Sequence, residues 1–144
     1  MDISDYVTVN DVRNACRELG ISDWTERTDT RVRPDEAEAI RQAVGAEALA
    51  VSREAFQQGL EVELEHGMHY PDANVTNNHP ILTGRVVLAH LKEMLDYYAR
   101  LEVAELEGDL LKASKAGDAE TLARVYPRWL HARAKLSAWE ASGT

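Results

Sequence analysis

The chain has 144 residues, of which 25 are acidic and 16 basic, so its formal net charge is −9 at pH 7. This length suits one domain with one hydrophobic core, and the acidic balance disfavours binding to phosphate backbones and to anionic lipid. No segment approaches the roughly 18 to 20 apolar residues of a transmembrane helix. The N-terminus does not resemble a secretory signal, and the one cysteine cannot form an internal disulfide. We therefore expect a cytoplasmic protein that binds neither nucleic acid nor membrane.

The N-terminal segment, residues 1–33, predicts one short helix followed by a connector. Over residues 10–19 apolar side chains recur every three or four positions, and Gly20 is a typical helix stop. Residues 21–33 are mostly polar and lose this periodicity. We expect Trp24 to anchor the connector onto the core.

The central segment, residues 34–112, predicts two long helices joined by a loop. Pro34 suits the first turn of a helix, which we expect to run from residue 35 to about 66 with a bend or break near Gly45. The loop at 67–82 holds two prolines, three asparagines and a glycine. Long ordered loops of this kind are more often functional than merely connecting. The second long helix is expected from about residue 83 to 112.

The C-terminal segment, residues 113–144, predicts a turn and a last helix over about 119–141. Pro127 should kink or interrupt that helix, because proline lacks the backbone N–H that an interior helical position donates. No part of the sequence favours a strand. We therefore predict a single all-α domain over residues 1–144, a small bundle built on a central antiparallel helix pair, with ferritin-like packing as one form it could take.

Glu63 is the first candidate for chemistry. On a helical wheel it falls within the same narrow arc as Phe56 and Leu60, in the middle of an apolar stripe. Burying a lone carboxylate costs several kcal/mol, so a cation, a metal or a strong donor is expected beside it. His66 lies three residues further on, at the edge of the stripe, which makes a Glu-x-x-His pair.

The second predicted helix carries the reversed pair, His90 and Glu93, on its own apolar stripe. Because two helices joined by one loop run antiparallel, the reversed order should bring Glu63, His66, His90 and Glu93 together. Two imidazoles and two carboxylates suit Fe(II), Mn(II) or Zn(II), and helical bundles hold paired metals with inward Glu-x-x-His motifs. The four residues therefore predict a divalent metal site, with iron preferred and manganese or zinc as alternatives.

The same residues also have a structural interpretation, as an alternative to the metal site. Glu63 and His90 could pair with each other, or with Arg85 or Arg100, as a satisfied polar contact that fixes the register of the helices. Tyr97 lies on the second stripe, where it is either a core aromatic residue or a catalytic residue beside the metal.

Two histidines of the predicted loop, His69 and His79, are expected to be solvated. His69 follows His66 by three residues, so it could also supply an extra metal ligand. Neither residue is needed for the four-residue metal site.

Three stretches of the chain resemble a family of small uncharacterised bacterial proteins. They are VELEHG at 62–67, NVT at 74–76 and AHLKEMLDYYARLE at 89–102, similar to a consensus of VELEHG, TNVT and AHLxExPDYYxRLE over roughly residues 54–107. The resemblance implies no reaction. Leu95 replaces the usual proline, which should smooth the second helix, and Asn78-His79 replaces an acidic pair. The resemblance draws attention to Glu63, Glu65, His66, His90, Glu93, Asp96, Tyr97 and Tyr98.

Two functions follow as hypotheses. In the first, the chain is a metal-binding helical protein. If it is catalytic, we expect a non-haem iron or manganese oxidoreductase that acts on a small molecule, with the 67–82 loop as a lid over the metal. A homodimer would complete a four-helix site from two copies of the ligand-bearing pair. In the second, the chain is a non-catalytic protein-interaction module with a structural polar cluster.

Overall fold

The computed structural model describes residues 6–142, and within this range the chain is all-helical, with no β-strand. The predicted all-α class is therefore confirmed. Short 3-10 turns at Trp24–Glu26, Ala46–Leu49 and Pro71–Ala73 lie between the longer elements. The α-helices are α1 (Val9–Leu19), α2 (Pro34–Val44), α3 (Arg53–His69), α4 (Pro80–Glu93), α5 (Tyr97–Ala116) and α6 (Ala119–Ser142).

Helix α1 follows its sequence signals closely. The Thr8 hydroxyl accepts a hydrogen bond from the Asp11 amide, the Asp11 carboxylate accepts one from the Thr8 amide, and this capping box begins the helix. Gly20 ends it with a φ of 67°, in the left-handed region that glycine adopts without steric cost. Trp24 is only 2% exposed, so the predicted anchor of the connector is confirmed.

The first predicted long helix is two helices. Helix α2 ends at Gly45, whose φ is 80°, and α3 begins after Ser52, whose hydroxyl accepts a hydrogen bond from the Ala55 amide. The predicted break near Gly45 is thus confirmed. Helix α3 continues three residues beyond the expected end at residue 66, so the loop before α4 spans only residues 70–79.

The second predicted long helix is also two helices, and here the sequence expectation was wrong. Residues 94–96 separate α4 from α5, although Leu95 replaces a proline. Asp96 is the N-terminal cap residue of α5, its backbone is not helical, and its buried carboxylate pairs with Arg100 at 2.8 Å. An aspartate suits the start of a helix because it favours the positive end of the helix dipole. The break therefore does not require proline.

Contacts divide the chain into two compact units, Met1–Glu93 and Met94–Thr144. The predicted organisation as a single domain remains a prediction. In the first unit α2, α3 and α4 pack against one another, and α3 and α4 correspond to the predicted central pair, although with 17 and 14 residues they are shorter than expected. The fully buried core side chains of these helices are Ile40, Phe56, Leu60, Leu64, Val87 and Leu91.

The second unit is a hairpin of α5 and α6 with its own apolar seam. Gly117 turns the chain with a φ of 67°. Helix α6 runs without interruption through Pro127, where both Pro127 and residue Ala123 are exposed. Water can therefore hydrogen-bond the Ala123 carbonyl, which lacks its usual helical donor. The buried seam consists of Ala99, Val103, Leu106, Val125, Ala132 and Leu136.

Candidate functional site

A cleft of about 360 Å³ lies in the first unit, between the C-terminal part of α3, the following loop and α4. Two polar side chains of α3 and part of the asparagine-rich loop contribute to its lining. The lining residues are Glu63, His66, Gly67, Tyr70, residues 73–76, Thr83 and Val86. The cleft thus joins two of the predicted metal ligands to the loop that the sequence singled out.

Glu63 lies between two imidazoles from two different helices. One carboxylate oxygen is 3.2 Å from Nδ1 of His90, and the other is 4.0 Å from Nδ1 of His66. The Glu63 side chain is 16% exposed, whereas those of His90 and His66 are 31% and 45% exposed. Three of the four predicted ligands therefore converge, with the carboxylate as the most buried member.

The fourth predicted ligand, Glu93, is placed differently. It is exposed at the last position of α4, and it does not line the cleft. Across residues 6–142, no three or more histidine, cysteine, aspartate or glutamate side chains already have an arrangement that could hold a metal ion. The described conformation is one in which Glu63 pairs directly with His90.

Tyr97, the predicted catalytic residue, is the first residue of α5 and belongs to the second unit. It is partly buried, and its ring meets that of Tyr98 edge to face with the centroids 5.1 Å apart. This geometry is typical of a packed aromatic pair. The catalytic role of Tyr97 remains a prediction.

The loop wall of the cleft is held by its own side chains. The side-chain amide of Asn74 donates a hydrogen bond to Oδ1 of Asn78 at 2.9 Å. The Thr76 hydroxyl donates to Oδ1 of Asn74 and accepts from the backbone N–H of Asn78. These amides lie directly on Gly67, because a Cβ at that position would come within 2.4 Å of Asn78 Oδ1. Gly67 therefore lets the loop pack closely on α3.

His79 closes the loop and begins α4. Its Nδ1 accepts hydrogen bonds from the backbone N–H groups of Ile81 and Leu82, at 3.2 and 3.5 Å, as a helix N-cap residue does. Its carbonyl accepts the first helical hydrogen bond, from Thr83. Burial lowers the pKa of His79, and the opposing charge of Asp11 only partly offsets this effect. The expectation of a solvated His79 was therefore wrong.

The sequence did not single out Glu36, the most deeply buried acid of the described residues. Its side chain is fully buried, and it accepts hydrogen bonds from the Ser22 backbone at 2.9 Å, from the Ser22 hydroxyl, and from Arg27 at 2.7 Å. Burial alone would raise the pKa of Glu36, but the Ser22 and Arg33 hydrogen bonds and the Arg27 charge outweigh it and lower the pKa. Arg27 also lies over the Trp24 ring, 5.0 Å from its centroid. This network fixes the connector, and it is separate from the cleft.

None of the helices within residues 6–142 combines the length and apolar character needed to cross a bilayer. Comparison with curated proteins found no match, and comparison with solved structures found none either. A family model described as "Protein of unknown function (DUF5661)" matches residues 12–107. The match begins well before the region of the resemblance at 54–107, and it ends within α5, so that α6 lies outside it. The chain therefore belongs to the DUF5661 family, a family of unknown function.

Proposed function

We propose that this protein binds one divalent metal ion through Glu63, His66 and His90, beside the cleft that Glu63 and His66 line. The observation that carries the proposal is the position of the Glu63 carboxylate between imidazole nitrogens of two helices, at 3.2 and 4.0 Å. Ligand atoms about 2.1 Å from one metal stand roughly 3.0 to 3.4 Å apart. The pair of Glu63 and His90 already has that spacing, whereas His66 Nδ1, at 4.0 Å from the carboxylate, would have to move closer to share a metal with it.

The donor set favours particular metals. Two neutral imidazoles and one carboxylate with open positions are the ligands of non-haem Fe(II) oxygenases, and they also accept Mn(II) and Zn(II). The cleft would give a small molecule access to the open side of such a site. When bound, iron or manganese would supply redox chemistry, which is why an oxidoreductase acting on a small molecule is our proposal for activity. A homodimer is our proposal for the assembly.

Metal titration of the purified protein tests the ligand set. Calorimetric titration with Mn(II) or Zn(II) should give about one equivalent for the wild type, and Glu63→Gln should lose this binding because it removes the anionic ligand. Glu65→Gln is the matched control, since Glu65 is exposed on the same helix. Unchanged binding in Glu93→Gln would support three ligands, and loss of binding there would restore the four-ligand prediction.

The second candidate function is a non-catalytic interaction module, and the direct pairing of Glu63 with His90 favours it. In this account the pair only joins α3 to α4. The two functions differ in their response to a chelator: the module should melt at the same temperature with and without EDTA, whereas the metal protein should lose stability. Light scattering with and without metal tests the proposed homodimer, which a metal-bound monomer would contradict.

A further inference from the structure

We propose that His79 is a pH-sensitive latch on the wall of the cleft: the neutral imidazole holds the loop at 74–78 against α3, and the protonated imidazole releases it. The inference rests on the proposed function in one respect: the latch would regulate access to the cleft beside the proposed metal site. It is carried by the hydrogen bonds that His79 makes at the junction of loop and helix.

The first step is the dependence of the cap on a neutral side chain. His79 Nδ1 accepts from the Ile81 and Leu82 amides, at 3.2 and 3.5 Å. A protonated imidazole carries hydrogen on both nitrogens and cannot accept either bond. It would also place a positive charge at the positive end of the dipole of α4. Protonation therefore has two effects: it removes the two capping hydrogen bonds, and it places a charge that the N-terminus of α4 repels.

The second step is the connection from His79 to the loop. The His79 backbone N–H donates to the Thr76 carbonyl at 2.9 Å, and the Thr76 hydroxyl accepts from the backbone N–H of Asn78. Asn77 and Asn78 both have left-handed backbones, with φ of 48° and 57°, a conformation that asparagine adopts more readily than other non-glycine residues. The His79 cap holds the first turn of α4 through Ile81 and Leu82, and His79 joins that turn directly to the loop, so loss of the cap should let the loop wall loosen.

The third step concerns the charges that face His79. Asp11 and Glu18 of α1 line the same surface depression as His79, whereas α2 contributes the uncharged Ala43. Asp11 is held by Thr8, which accounts for its lowered pKa, so its carboxylate stays ionised through the range in which histidine titrates. The Asp11 charge favours protonation of His79. Burial of His79 in the closed loop opposes its protonation. Because burial differs between the closed and the open loop, the position of the loop and the protonation of His79 depend on each other.

Amide hydrogen exchange of the metal-free protein, followed by NMR, tests the latch. In the wild type, protection of the Ile81, Leu82 and Asn78 amides, corrected for intrinsic exchange, should fall about fivefold to tenfold between about pH 7.5 and about pH 5.5. In His79→Asn the protection should stay high at both pH values, because asparagine caps helices without titrating. In His79→Ala it should be low at both.

His69→Gln is the matched control, since His69 is an exposed histidine close to the same loop, and it should behave like the wild type. A pH-dependent loss of protection that persists in His79→Asn would overturn the proposal, because another group would then be responsible. Constant protection in the wild type would overturn it as well. A chelator is present throughout, so the result does not depend on whether Glu63 binds a metal. If His79→Ala does not fold, His79→Asn still tests the latch.

Discussion

The Glu63 carboxylate of α3 lies 3.2 Å from Nδ1 of His90 on α4, and this contact joins two helices that flank the loop of the cleft. Glu63 is 16% exposed, so the interaction is only partly screened by solvent. A charged or hydrogen-bonded partner is what a half-buried carboxylate in an apolar stripe requires. The pair is thus a structural contact of the metal-free protein and also the core of the proposed metal site.

A double-mutant cycle measures this contact. Without metal, Glu63→Gln and His90→Gln should each lower the free energy of unfolding by about 1 kcal/mol, because each weakens one hydrogen bond to a partly buried partner. The double variant should lose less than the sum of the two, with a coupling of about 0.5 to 1 kcal/mol. Urea denaturation in EDTA provides the measurement. Strict additivity would show that the two side chains do not interact in solution.

Gly67→Ala should loosen the loop wall of the cleft. A methyl group at residue 67 would stand 2.4 Å from Asn78 Oδ1 and 2.9 Å from Asn74 Nδ2, so the loop must shift. We expect the variant to lose about 1 to 3 kcal/mol of stability, as is typical of overpacking. Thermal or urea denaturation measures the loss.

Gly108→Ala is the matched control for that substitution. Gly108 is an interior residue of α5, and an added Cβ there would meet no atom within 4 Å. Because alanine is the better helix former, this variant should gain about 0.5 to 1 kcal/mol. A gain in stability at both positions would contradict the close packing of the loop on Gly67.

Glu36→Gln should destabilise the first unit and flatten its acid dependence. The pKa of Glu36 is lowered in the folded protein, so ionised Glu36 contributes stability above the ordinary pKa near 4.5, and this contribution is lost as pH falls through the folded value. The neutral amide removes the nearer and fully buried acidic partner of Arg27 and leaves the more distant Asp29, at 3.9 Å. A broken buried ion pair costs about 3 kcal/mol.

Urea denaturation from neutral pH down to about pH 3 would follow this effect through the range where glutamate titrates. The difference between the wild type and Glu36→Gln should be largest at neutral pH and should shrink as the pH falls. Glu47→Gln, at an exposed position, should match the wild type at every pH. A difference that stays constant with pH would mean that the charge of Glu36 is not what stabilises the connector.

Local sequence signals predicted the elements whose causes are local. The Gly20 and Gly45 stops were predictable because a left-handed residue needs no distant partner, and Trp24 was predictable because so large an apolar side chain is seldom left in solvent. The break before α5 was missed because a helical stripe continues through residues 94–96. The start of α5 is marked instead by Asp96 and its pairing with Arg100.

The candidate site was predicted only in part, because some of its contacts depend on residues that are distant in the sequence. Periodicity placed Glu63 inside the apolar stripe and brought it to His66 and His90, but it cannot tell whether an imidazole binds a metal or a carboxylate. His79 gave no periodic signal, since a capping role depends on backbone amides that any sequence possesses. Glu36 looked like an ordinary acid in a first helical turn. Its burial depends on the connector folding back over it, which no local pattern reveals.

Elemental analysis of protein purified without an affinity tag tests the central claim most directly, with Glu63→Gln and Glu65→Gln prepared in parallel. The proposed site predicts near-stoichiometric iron, manganese or zinc in the wild type and in Glu65→Gln, and its loss from Glu63→Gln. A folded wild-type protein that carries no metal and takes up none when iron, manganese or zinc is supplied would contradict the metal site, and would leave Glu63 and His90 as a contact that only joins two helices.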